Sequence, residues 1–168
     1  MKKIIVALIA FFVSSSIWAG TQMSIQIVQN NPGQTKIWAT SQYFEQAMLD
    51  YFFGQGKIVS NSPIFVDDGD SRARSSDLRY SLLENQKGGM DYLIRVDVFF
   101  RTTNSASSER PALSMIESVS WKVYDVLSGA EVGDGSMKTQ KVAKGRDNEL
   151  GIAELAEKVA YQAAKACK

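Results

Sequence analysis

Between Tyr92 and Arg101 polar and apolar positions separate by parity. Tyr92, Ile94, Val96, Val98 and Phe100 make one row; Leu93, Arg95, Asp97, Phe99 and Arg101 make the other. A period of two over that length predicts a β-strand with one wholly apolar face and one mixed face. Elsewhere the period changes. From Lys36 to Phe53, Ile37, Phe44, Met48, Leu49 and Phe52 fall at helical spacing, and Gly54 and Gly56 close the segment. A second helix is predicted over Ser75–Gln86, with Leu78, Leu82 and Leu83 on one side and Lys87-Gly88-Gly89 at its end. A third carries the stripe Ile152, Leu155, Ala156, Val159, Ala160 and Ala163, with Asp147 as its N-cap and Glu149 in its first turn.

Short strands are expected at Ser24–Val28 and Lys57–Val59, the second extending toward Ile64-Phe65-Val66. Pro63 makes that region an edge or irregular strand, because proline cannot donate to a ladder. Met115–Val126 and Glu131–Gln140 pair as a hairpin around Leu127-Ser128-Gly129-Ala130, with Gly133 and Gly135 marking a bulge. Asn30-Asn31-Pro32-Gly33 and Asp67-Asp68-Gly69-Asp70-Ser71 read as polar turns, and Lys144-Gly145-Arg146 as an exposed loop. Thr102–Ala112, rich in Ser, Thr and Asn, reads as a mobile surface connection. The order β-α-β-α-β-β-β-α predicts an α/β (α+β) domain: a mixed β-sheet with helices packed on it.

The N-terminus adds a compartment. Lys2 and Lys3 precede an apolar run from Ile4 to Val13, and Ser14-Ser15-Ser16-Ile17-Trp18-Ala19-Gly20 follows. That is the layout of a secretory signal peptide cut after Ala19. A run so short falls below the roughly 20 residues a membrane span needs, which argues against the rival reading, an uncleaved anchor. Residues 1–19 are thus expected to be a signal peptide and 20–168 a single domain. Gly20, not a cysteine, stands directly after the cut, so lipidation is not expected, and the exported chain reads as soluble and periplasmic. The formal charge of +1 becomes −1 without Lys2 and Lys3. That balance does not suggest nucleic acid, and no later segment suggests stable membrane insertion.

Gly88-Gly89-Met90-Asp91-Tyr92-Leu93-Ile94 and Val123-Tyr124-Asp125-Val126-Leu127-Ser128-Gly129-Ala130-Glu131-Val132 change the picture again. They resemble the G-A-D-Y junction and the D-x-x-T/S-G hairpin of the bacterial envelope family that includes LpoB, CsgG and the TolB N-terminal domain. Leu155-Ala156-Glu157-Lys158-Val159-Ala160 stands where that family carries its last L-A-x-x-[LVI]-A helix, and Gly54-Gln55-Gly56-Lys57-Ile58-Val59 is similar to its helix-to-strand step. The resemblance covers most of residues 22–166. It implies a periplasm-facing protein that works through protein contacts rather than catalysis. LpoB-like members stimulate a cell-wall synthase, CsgG-like members build a secretion pore, and the TolB domain docks to another envelope protein. This chain lacks the lipidation cysteine of the first two and the β-propeller of the third.

Candidate chemistry is sparse. The chain has no histidine and one cysteine, Cys167. That removes the usual general base, the Ser-His-Asp arrangement and the ordinary zinc ligands. No nucleotide, cofactor or metal motif is present; Asp67-Asp68-Gly69-Asp70 lacks the spacing and distal Glu of a calcium loop. Asp91, Asp97, Glu117 and Asp125 are the carboxylates that a small envelope hydrolase could use, and that is the alternative function. A subunit of an envelope secretion complex is another. The leading reading is a non-enzymatic exported protein that binds or regulates an envelope partner. Phe53, Phe99 and Arg101 lie beside the main stripes and are the candidate partner-binding residues. Cys167, an odd cysteine in an oxidising compartment, is a candidate link between two chains in a homodimer.

Overall fold

A computed structural model describes residues 20–31, 35–101, 109–140 and 142–167. The expected signal peptide, the Pro32-Gly33 turn and residues 102–108 of the expected mobile connection lie outside the described residues.

The first strand, β1 (Gln22–Asn30), sits inside the sheet, longer than its sequence pattern predicts. The helix α1 (Ala39–Gly54) follows, then the short strands β2 (Ile58–Asn61) and β3 (Phe65–Asp67). Both pair in parallel with β1, one after the other, with Pro63 between them. The helix α2 (Ser71–Lys87) leads to β4 (Tyr92–Phe100), which is parallel to β1 on its other side. Antiparallel β5 (Ile116–Asp125) and β6 (Glu131–Lys138) complete a six-stranded mixed sheet of order β2-β1-β4-β5-β6, with β3 beside β2 on β1. The helix α3 (Glu149–Ala164) closes the chain. The α/β class matches the reading of the sequence, and the element order matches it broadly: the one strand expected between the first two helices is two, β2 and β3.

Two helices cover one face and one covers the other. Met23, Ile25 and Ile27 of β1, Ile94, Val96 and Val98 of β4, and Val119, Trp121 and Val123 of β5 pack against Phe44, Met48 and Phe52 of α1 and Ile152, Ala156 and Val159 of α3. The alanine stripe of α3 lets it lie against α1 and the sheet. Phe44, Met48, Ile152 and Ala156 are wholly buried. On the opposite face α2 brings only Leu78 and Leu82 to Leu93, Tyr124 and Val126.

Helix starts differ from expectation for local reasons. α1 begins at Ala39, not Lys36, because Trp38 is extended (φ −87°, ψ 145°) and Ile37 is exposed. Buried Gln29 of β1 holds this start: its Oε1 accepts from the Trp38 N–H and the Ser41 hydroxyl, both at 2.8 Å. α2 begins at Ser71, four residues earlier than its apolar spacing predicts, because Asp70 caps it by accepting from the Arg72 N–H at 2.8 Å. Asn148, not Asp147, caps α3, accepting from Leu150 and Gly151. Asp147 instead accepts from the Ser114 N–H and hydroxyl, both at 2.7 Å.

The glycines of β6 are there for space. A Cβ on Gly135 would stand 2.2 Å from the Trp121 ring, and one on Gly133 would stand 2.4 Å from Ala166 Cβ. The register shift in this ladder falls between the Val123–Gly133 and Tyr124–Glu131 pairs, so the expected bulge borders Gly133 and not Gly135.

Candidate functional site

The mixed row of β4 decides where chemistry gathers. Arg95 and Asp97 point to the α2 side and are 3% and 5% exposed. Long charged side chains are rarely buried without partners, and α2 supplies them. Its inward stripe is polar: Arg74, Asp77, Ser81 and Asn85 recur at helical spacing around Leu78 and Leu82. Arg95 Nη1 donates to Asp77 Oδ2 at 2.8 Å and to Gln26 Oε1 at 2.9 Å. Gln26 Nε2 returns to Asp77 at 3.1 Å. Arg74 donates through both Nη atoms, one to Asp67 and one to Asp97, and Nη1 also reaches Asn30 Oδ1 at 3.1 Å. Burial opposes the Arg74 charge, but the Asp97 and Asp67 carboxylates outweigh it and hold its pKa above the ordinary arginine value. Farther along, Asn85 donates to Ser62 Oγ at 2.9 Å, and Ser62 meets Ser24 Oγ at 3.3 Å.

This network corrects the reading of Asp67–Ser71 as a merely solvated turn. Asp68 and Asp70 are exposed, but Asp67 is buried and paired. Leu83, expected on the packed side of α2, is exposed, and the polar residues take its place.

Beside α2 the sheet is uncovered. Arg74, Ser75, Leu78, Arg95, Asp97, Lys122 and Tyr124 line a cleft of about 180 Å³ between α2, β4 and β5. Lys122 reaches Glu131 across the hairpin at 2.6 Å. Burial is the main cause that raises the Tyr124 phenol pKa. Arg95 Nη2 is buried and has no hydrogen-bond partner among the described residues.

The carboxylates expected for hydrolysis take separate local roles. Asp91 accepts from the Gln22 N–H at 2.8 Å. Asp125 accepts from the Ser128 N–H and hydroxyl in the hairpin turn, and these bonds lower its pKa. Asp97 pairs with Arg74, and Glu117 is exposed.

The partner-binding candidates divide between two places. Phe99 (37% exposed) and Arg101 continue the row of Arg95 and Asp97, at the end of β4 that pairs with Asn30. Phe53, 76% exposed, belongs to the last turn of α1, on the opposite face and at the opposite end of the sheet. The structure therefore brings Phe99 and Arg101 together and leaves Phe53 apart.

Cys167 is poorly placed for the interchain link expected of it. It is half-buried against the α1/α3 core, its Sγ donates to Ala163 O at 3.7 Å, and burial pushes its pKa up to about 11. A protonated, covered thiol is a poor start for an interchain disulfide. Sequence reasoning also missed the paired Arg74 and Asp77. They recur at helical spacing, but that pattern reads as a solvated face until the row of Arg95 and Asp97 is known to lie opposite.

A family model described as "Uncharacterised protein" matches residues 22–168. The chain belongs to that family. No curated protein sequence matches it. Among solved structures, the PelC dodecamer of Paraburkholderia phytofirmans is similar at a TM-score of 0.47 and 12% identity, over 88% of this chain and 87% of that one. The LpoB C-terminal domain of Escherichia coli gives 0.44 and 12%, over 77% and 93%. Lipoprotein GNA1162 of Neisseria meningitidis gives 0.41 and 12%, over 88% and 99%.

Proposed function

We propose that this chain is an exported, non-enzymatic periplasmic protein that binds and regulates another cell-envelope protein through the uncovered half of its sheet beside α2. The observation that carries the reading is the cleft beside α2, where the Arg95 and Asp97 row of β4 meets exposed Lys122 and half-exposed Arg74. Phe99 and Arg101 lie on the same row and supply the aromatic and basic anchors in which interfaces concentrate their energy. Phe53 is a separate, secondary contact. The N-terminal pattern supports export with a cut after Ala19, and the envelope-family motifs support the class of partner.

Photo-crosslinking in cells tests the reading. A photoreactive residue at position 99 should join the chain to one envelope protein, and Arg101→Ala should reduce that adduct without changing the melting curve. One at position 53 should give less of it. Equal labelling at both positions, or loss of turnover of an envelope substrate in an Asp97→Asn variant, would count for another function. Intact-mass measurement should find the exported chain starting at Gly20, without an acyl group.

A further inference from the structure

The two edges of the sheet are built differently. On one side β2 and β3 have four and three residues, and Pro63 interrupts them. That is a guarded edge. On the other side β6 runs for eight residues, and among the described residues it pairs only with β5. It contains no proline, and from Gly133 to Lys138 its register is unbroken.

The ladder fixes which backbone groups of β6 are unpaired. The Thr139 N–H donates to Glu117 O at 3.0 Å, and residues 118 to 123 pair with 138 to 133 in step. Antiparallel alternation then turns the N–H and C=O of residues 133, 135, 137 and 139 toward β5. Those of Asp134, Ser136 and Lys138 face outward. The same three residues have exposed side chains on one face of the sheet, opposite Lys122, Ser120 and Ser118.

We infer that β6 pairs with β6 of a second copy of this chain, antiparallel and centred on Ser136, to form a two-fold symmetric dimer with a continuous sheet. A two-fold axis perpendicular to the sheet opposes only residues of like parity. Centring on Ser136 sets Asp134 of each copy opposite Lys138 of the other. All three outward-facing pairs then exchange both of their backbone bonds. Centring on Asp134 opposes that carboxylate to itself. Centring on Gly135 or Met137 sets the charges against Val132 or Ser136. Charges of one sign protect an edge from its own kind; here a carboxylate and an ammonium four residues apart make the edge self-complementary. The dimer joins the uncovered faces of two sheets side by side, and it is independent of what the cleft beside α2 binds.

Sedimentation of the purified chain over a concentration series up to about 1 mM should show a monomer–dimer equilibrium. Asp134→Lys or Lys138→Asp alone should weaken it by about tenfold or more, through like charges placed opposite each other. Mixing the two variants, or combining them in one chain, should restore it. Ser136→Pro should abolish it by removing an outward N–H, while Ile58→Lys at the other edge should leave it intact. A monomer at every concentration overturns the inference. So does a dimer that Ile58→Lys dissociates, or one that folded charge variants leave unchanged.

Discussion

The two faces of this sheet share the same strands but are held by different physics. On the α1/α3 face, Ile94, Val96 and Val98 meet Phe44, Met48, Ile152 and Ala156, all wholly buried. Non-directional burial dominates there, at roughly 25 cal/mol per Å² of apolar surface. On the α2 face, the alternate residues of β4 meet Arg74, Asp77 and Gln26 through directed, charge-assisted bonds. Buried ion pairs lose in desolvation much of what they gain in attraction. The apolar face therefore supplies stability, and the polar face specifies how α2 is set on the sheet. The polar face is also where a cleft opens among charged side chains, so binding chemistry is available there.

Cutting into each face should separate them. Phe44→Ala should cost about 3–5 kcal/mol in urea unfolding, because it empties the centre of the α1/α3 core. Asp97→Leu should cost about 2–4 kcal/mol by stranding the Arg74 and Asn30 donors that meet it. The triple variant Asp67→Asn/Arg74→Leu/Asp97→Leu, which leaves no buried carboxylate of this network without its cation, should regain much of that loss. A triple variant no better than the single one would mean that the network stabilises in its own right and that the contrast between faces is wrong. Gly135→Ala should cost about 1–3 kcal/mol in the same assay, since its Cβ has no room beside Trp121.

The smallest effect is at Cys167, on the margin of the apolar face. Its folded pKa is raised to about 11 by burial, with Lys57 opposing weakly. An unfolded thiol ionises near pH 8.5. From there up to about 11 the unfolded chain loses its proton first, so native stability falls across that window and Cys167→Ser should remove that dependence. Alkylation by iodoacetamide should show the same midpoint. A midpoint near pH 8.5 would place the thiol in solvent.

The α1/α3 face was legible because its apolar residues repeat at the period of their own element. Phe44, Met48 and Phe52, and Ile152, Ala156 and Val159, need no knowledge of their neighbours to be read as buried. The α2 stripe was not legible. Arg74, Asp77, Ser81 and Asn85 look like a solvated helix face until Arg95 and Asp97 are known to lie opposite. Of the partner-binding candidates, β4 alternation put Phe99 in the row of Arg95 and Asp97, with Arg101 just past the strand's end. It could not reveal that Phe53 belongs to the other side of the sheet.

By itself the sequence determined the class, the order of elements and the larger core, since these follow from local periodicity, turn residues and caps. The tertiary structure decided the rest. It put β1 in the middle of the sheet, with β2 and β3 on one side of it and β4 on the other. It made Asp67, which also accepts from the Gly69 N–H in the turn, a buried partner of Arg74, and it left β6 as a long edge. Each of these depends on pairing between segments distant in the chain. A charge pattern within one segment does not specify the segment that will neutralise it.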